Sequence, residues 1–149
     1  MITERLIKII EKSGDELTQR LIQDLNAREE TRHIRTQRQN RVYSQVYEVY
    51  SELNSWLSGG KTKGKIIDHY MELGRQRYNE GIALSEVIMV LLLIKRHLWF
   101  FAIEKKVIDP SDTVQDVLEL NNRVVLFFDR IIYTVSVGYE REQKENSVL

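Results

Sequence analysis

The feature that most constrains this chain is the apolar segment 84–103, which reads LSEVIMVLLLIKRHLWFFAI. From Val87 to Ile94 every residue is uncharged and apolar. A helix that is apolar on every side has to be surrounded by other protein. The charged triplet 95–97 interrupts the run before it reaches the roughly 18 residues that a bilayer crossing needs. The segment therefore predicts a central helix with other helices packed around it.

Several small residues mark where helices begin, end or bend. Gly81 is expected to end the helix before the apolar segment, and Ser85 is expected to cap the next one, beside the carboxylate of Glu86. Gly74, in the middle of a predicted helix, predicts the close approach of a neighbouring helix. Ser13 and Gly14 predict a kink in the first helix, because glycine disfavours a helix interior.

Helix-breaking residues are scarce, with one proline and seven glycines in 149 residues. Apolar residues recur at three- and four-residue steps in four further segments, which are 2–26, 37–57, 65–79 and 113–142. The turn 61–64, rich in lysine and glycine, is predicted to be a surface loop. The chain is thus predicted to be all-α, a single domain over 1–149. Its predicted architecture is a five- or six-helix bundle in a globin-like arrangement with a buried central helix.

Composition narrows the function classes. The 22 basic and 22 acidic side chains give no net charge, which argues against a protein that binds nucleic acid or an anionic membrane. The absence of cysteine excludes disulfides, thiolate nucleophiles and cysteine metal sites. The start, MITERLIKIIEK, has acidic residues and no small-residue cleavage site, so it is not typical of a secretory signal. We expect a cytoplasmic location with no nucleic-acid or membrane partner.

An arginine-rich stretch leaves one alternative open. Arg32, Arg35, Arg38 and Arg41 are spaced three apart and would share one face of a helix. Such a stripe could contact phosphates, and its binding would depend steeply on salt. Neighbouring glutamates offset part of the charge and no aromatic residue separates the arginines, so a solvated face is the favoured interpretation.

The three histidines are the candidates for ligation chemistry. A haem-binding, globin-like gas sensor would need a proximal histidine on a helix that faces an apolar pocket, and His97 has the most suitable neighbours. Lys95 and Arg96 place that arc of the helix near the surface, which favours a half-buried structural histidine. His33 and His69 show no paired ligand spacing, so no metal site is predicted.

No serine, carboxylate or glycine pattern matches a catalytic motif, and no enzyme activity is predicted for the domain. Aromatic side chains could instead line a pocket for a small apolar or planar ligand, although packing is their commoner role. The candidate pocket residues are Tyr70, His97, Trp99, Phe101 and Phe128. No cofactor is expected, apart from the haem that the His97 alternative would require.

Three stretches of the chain resemble the RsbRD-type N-terminal domain: LGRQR at 73–77, EGIALSEVI at 80–88 and IKRHLW at 94–99. That helical module resembles the sensory halves of RsbR-like stressosome co-antagonists, and it also occurs ahead of histidine kinases and PucR-like regulators. The resemblance implies a globin-like shape, no haem in the relatives of RsbR, and a long last helix that leads to an output domain.

The resemblance and the missing catalytic set together predict a non-catalytic sensory or regulatory domain of a bacterial signalling protein, which relays a signal through its C-terminal helix. One side of that helix is predicted to serve the core. Its other side, with Val125, Ile132 and Tyr139, is predicted to face a second protomer in a homodimer or a signalling partner. The chain is then either the N-terminal part of a longer regulator or a stand-alone copy.

Overall fold

The computed structural model describes residues 1–60 and 63–147. Its elements in chain order are α1 (Ile2–Ala27), two 3-10 turns (Glu29–Thr31 and Ile34–Thr36), α2 (Gln39–Leu57), α3 (Lys63–Asn79), α4 (Leu84–Glu104) and α5 (Val114–Ser147). No strand occurs in the described residues, so the prediction of an all-α helical bundle is confirmed. Residues 61 and 62 of the predicted loop lie outside the described residues, and Gly64 already belongs to α3.

Helix α1 contains the predicted kink. Ser13 has the non-helical dihedrals φ −122° and ψ 19° in the middle of the helix. The next residue, Gly14, lies against α2, where an added Cβ would be 3.1 Å from the ring of Tyr47. The buried hydroxyl of Thr18 donates a 2.7 Å hydrogen bond to the Gly14 carbonyl oxygen. This carbonyl group therefore has a hydrogen-bond partner at the bend.

The most extensive helix–helix contact joins α3 to α5, and two glycines make it possible. A Cβ at Gly74 would overlap the carbonyl oxygen of Val135, and a Cβ at Gly138 would overlap the carbonyl oxygen of Met71. The two backbones therefore touch directly, which confirms the close approach predicted at Gly74. Nearby, the Tyr139 hydroxyl donates a 2.7 Å hydrogen bond to the Ile82 carbonyl oxygen.

Helix α4 differs from the sequence-based expectation. Its inner side is buried, mainly against α1 and α5, but Phe100 and Ile103 are 60% and 65% exposed on its outer side. The burial expected on every side is therefore found on one side only. Arg96 marks the outer side near the end of the helix, whereas the stretch from Val87 to Ile94 has no polar residue to mark it. Within 1–60 and 63–147, no helix combines the length and the apolarity needed to cross a membrane.

The start of α4 also differs from the expected cap. Gly81 has φ +75° and lies just after the end of α3, as predicted. The N-cap residue of α4 is Ala83 and not Ser85, and no side chain caps this helix end. The carboxylate of Glu86 is buried and accepts hydrogen bonds from the backbone N–H groups of His33 and Ile34, at 2.9 and 3.3 Å. Glu86 thus ties the second 3-10 turn to the first turn of α4.

The glycine contact between α3 and α5 gives a direct stability test. We expect Gly74→Ala to lower the free energy of unfolding by about 1–3 kcal/mol, because the methyl group would force two backbones apart. Urea unfolding followed by circular dichroism measures the loss. Gly64→Ala is the matched control: it lies in the same helix, its Cβ would meet nothing within 4 Å, and alanine should be neutral or stabilising there. Equal effects of the two substitutions would contradict the assigned role of Gly74.

Candidate functional site

A cavity of about 50 Å³ lies between α2, α3, α4 and the second 3-10 turn. Since one water needs about 10–15 Å³ of such space, the cavity holds a few waters or a small ligand. Its inner wall is apolar and comes from three helices: Val42, Val46 and Val49 of α2, Leu73 of α3, and Val87, Leu91 and Ile94 of α4. The three-to-four-residue steps along α2 and α4 place these side chains on the faces that meet.

The mouth of the cavity carries its polar groups. Gln37, Arg41 and Gln45 line it from the chain before α2 and from α2 itself, and Arg77 and Glu80 line it from α3 and the residue that follows. Arg41 is solvent-exposed, so the cavity opens to water on this side. An apolar wall with a few convergent polar groups is the usual composition of a small-molecule site.

Among these polar residues Arg77 is the buried one, and Glu80 is its partner. The Arg77 side chain is 7% exposed and its guanidinium binds Glu80 Oε1, which also accepts a 2.7 Å hydrogen bond from Arg41 Nη2. Burial lowers the pKa of Arg77 from its ordinary value, a shift that the Glu80 charge opposes and the Arg41 charge favours. Both cations therefore share the same carboxylate oxygen.

The second carboxylate oxygen of Glu80 has no hydrogen-bond partner among the residues that the structure describes, although it is buried. A buried polar atom without a partner costs about 1–3 kcal/mol. A molecule that offers an O–H or N–H group to this oxygen and an apolar body to the wall would recover that cost. The arrangement can bind and orient a small ligand, and it contains no nucleophile paired with a base.

Comparison with known protein families finds that the model of the RsbT co-antagonist protein rsbRD N-terminal domain matches residues 15–147. The chain belongs to this family. The family assignment confirms the resemblance noted in the sequence and makes the chain a sensory and regulatory domain of the stressosome type. Comparisons with curated proteins and with solved structures find no match.

The structure places the five predicted pocket residues of this RsbRD N-terminal domain apart from the cavity. Tyr70 is buried and donates to Glu52 Oε1 at 3.1 Å, and Phe101 is buried beneath Arg20 and Lys105. The remaining aromatic positions pack into the core: Phe128 lies fully buried against Phe127, and Trp99 is half-buried.

His97, the candidate haem ligand, is engaged elsewhere. Its Nε2 donates a 2.7 Å hydrogen bond to Asp24 Oδ2 of α1, and its side chain is 18% exposed. The pairing of His97 with Asp24 explains why a polar side chain is half-buried at this position. Among the described residues that line the cavity there is no histidine, so nothing in the geometry supports the haem alternative.

The structure also locates the predicted interface residues of α5 and the arginine-rich stretch. Val125 and Ile132 are half-buried on the outward side of α5, whereas Tyr139 turns towards α3, where its ring packs edge-on against Tyr78 at 5.4 Å. The arginine stretch does not form one helical face, because it is broken into 3-10 turns. Three of its four members pair with acids: Arg32 with Glu29, Arg35 with Glu29, and Arg41 with Glu80.

Sequence reasoning did not identify Arg77 and Glu80 as site residues. Their three-residue spacing across the end of α3 is a signal of an ion pair, but such pairs are common on exposed helix faces. What distinguishes this pair is the burial of Arg77, and no local pattern of α3 predicts that burial. The contribution of α2 to the wall was visible only as a core stripe.

The buried pair predicts unequal effects of two substitutions. We expect Glu80→Gln to lower the free energy of unfolding by about 3 kcal/mol, because it leaves the Arg77 charge buried without compensation. Arg77→Met should cost less, since it removes the buried charge and leaves Glu80 paired with Arg41. Urea denaturation measures both losses. Glu72→Gln, which breaks an exposed pair with Arg75, is the control and should leave stability unchanged; equal losses for all three variants would refute the prediction.

Proposed function

We propose that this chain is a sensory domain that binds a small molecule in the cavity between α2, α3 and α4, and that it has no catalytic activity of its own. The observation that carries the proposal is the unpaired oxygen of Glu80, buried at the edge of an apolar wall. In a regulatory family, a cavity that lacks a reacting group is more simply a receptor than an active site. The ligand class is a small molecule with an apolar body and one hydrogen-bond donor.

Helix α3 offers the route from the cavity to the rest of the molecule. Leu73, Arg77 and Glu80 contribute to the cavity, and Gly74 in the same stretch of chain touches the backbone of α5. A ligand shifts a conformational equilibrium only by its differential affinity for the two states. A molecule that binds Glu80 differently in two positions of α3 would therefore also select the position of α5. We infer that α5 relays the signal to an output domain or to a signalling partner.

The outward side of α5 supports a homodimer as the working form. Leu118, Leu126 and Tyr133 are 55%, 49% and 71% exposed, and the half-buried Val125 and Ile132 lie between them on this side. We call these five residues the outer face of α5. An apolar face along a long helix is the usual surface for two-fold helix pairing. Such pairing would place the two relay helices side by side.

The ligand class can be tested with two probes that share one heavy-atom skeleton. We expect 2-propanol to shift the amide NMR signals of Val46 and Leu91 more than acetone does at the same concentration, because only the alcohol donates a hydrogen bond to Glu80 Oε2. The experiment titrates each probe into the labelled protein. Glu80→Gln should abolish or invert the preference, since its amide group donates.

The matched control for this experiment is Glu104→Gln, which alters an exposed carboxylate paired with Arg20 far from the cavity residues. It should preserve the preference for 2-propanol. Equal shifts by both probes in the unaltered protein, or shifts spread over surfaces away from the cavity, would rule out the proposed ligand site.

The dimer can be tested at the outer face of α5. We expect the unaltered protein to sediment as a dimer and Leu126→Asp to sediment as a monomer, because an aspartate in an apolar interface has no partner for its charge. Phe100→Asp is the control, since Phe100 is comparably exposed but lies on α4. A monomeric unaltered protein at high concentration, or a dimer that Leu126→Asp leaves intact, would contradict this assignment.

A further inference from the structure

Three side chains that can bind metal ions converge between α2 and α3, outside the residues that line the cavity. Glu48 and Glu52 lie one turn apart on α2, and His69 of α3 faces them. His69 Nε2 is 3.5 Å from Glu48 Oε1 and 3.3 Å from Glu52 Oε1, and one possible ligand atom from each residue lies within 4.8 Å of the others.

We propose that Glu48, Glu52 and His69 form a binding site for a divalent transition-metal ion, with Zn²⁺ as the best match. Zinc binds imidazole nitrogen and carboxylate oxygen at about 2.0–2.2 Å, so neighbouring ligands of a tetrahedral ion are about 3.4 Å apart. The two distances from His69 equal that spacing. Three protein ligands leave the fourth position for water or for an external group.

The other two histidine–carboxylate contacts among the described residues are shorter, and His33 Nδ1 lies 2.5 Å from Glu86 Oε2. His97 and Asp24 are 2.7 Å apart, which is the length of a charge-assisted hydrogen bond. The distances from His69 to its two glutamates exceed that length, and the imidazole nitrogen lies between two carboxylates. The longer spacing leaves room for an ion between the imidazole nitrogen and the two carboxylates.

The surroundings of the three residues fit an ion as well. Glu52 is 3% exposed and the Tyr70 hydroxyl donates to its Oε1 at 3.1 Å, which fixes one ligand oxygen. Two carboxylates and a neutral imidazole balance a 2+ charge, which lowers the cost of holding the ion in a partly buried place.

The position of the site indicates what an ion would do. Glu48 and His69 are 49% and 38% exposed, so an ion can reach them from solvent. The bound ion would connect α2 to α3. Because α3 also forms the backbone contact with α5, the ion would stiffen the helix that carries the proposed relay. The inference goes beyond the cavity and does not depend on it.

Isothermal titration with zinc chloride tests the site. We expect one Zn²⁺ per chain, and we expect His69→Ala and Glu48→Gln each to weaken binding by at least about tenfold. Both positions are partly exposed, so these variants should fold, and circular dichroism checks that they do. His97→Ala is the matched control, since it removes a histidine that also pairs with a carboxylate, and it should leave zinc affinity unchanged.

A thermal melt provides a second readout that does not require a variant. Zinc at one hundred times its dissociation constant should raise the melting temperature of the unaltered protein by about 5–10 °C. The proposal is overturned if the unaltered protein binds no Zn²⁺, or if His69→Ala and His97→Ala bind it equally well. Either result leaves the cavity proposal intact, because the alcohol and ketone probes report on Glu80 alone.

Discussion

The direct contact between the backbones of α3 and α5 is the constraint on which the rest of the molecule depends. Gly74 and Gly138 have no side chains to hold the two helices apart, so each fits against a carbonyl group of the other helix. A slide by one helical turn would bring side chains into the space that now admits only hydrogen atoms. This close packing opposes a slide of α3 along α5, which supports the proposed relay.

This coupling gives the cavity its significance. Several buried polar groups of the described residues have partners: Thr31 donates to the Leu25 carbonyl oxygen at 2.7 Å, and Tyr50 donates to the Ile94 carbonyl oxygen at 3.0 Å. Two buried side-chain oxygens in the described residues have none, Asn54 Oδ1 and Glu80 Oε2, and of these the oxygen of Glu80 belongs to a residue that lines the cavity. A buried oxygen without a protein partner is a place where water or a ligand can bind.

Features that depend on residues close together in the sequence were predictable, and features that depend on contacts between distant helices were not. Helix positions, the kink at Ser13 and the close approach at Gly74 are local signals, because periodicity and glycine placement act within one or two turns. The exposed side of α4 was predictable only in part, since Arg96 marks it near the end of the helix but the stretch from Val87 to Ile94 has no polar residue. The cavity and the Glu48, Glu52 and His69 cluster both require α2 to meet other elements, and spacing within α2 gives no information about which residues it meets.

The pairing of surface charges has a consequence for how many copies of this domain can gather. Most of the arginines after α1 are paired with nearby acids, and the whole chain has 22 positive and 22 negative side chains. Each added copy then brings almost no long-range repulsion to a growing cluster. Crowding of such domains is limited by shape and by short-range contacts, and a change in ionic strength should barely alter how densely they assemble.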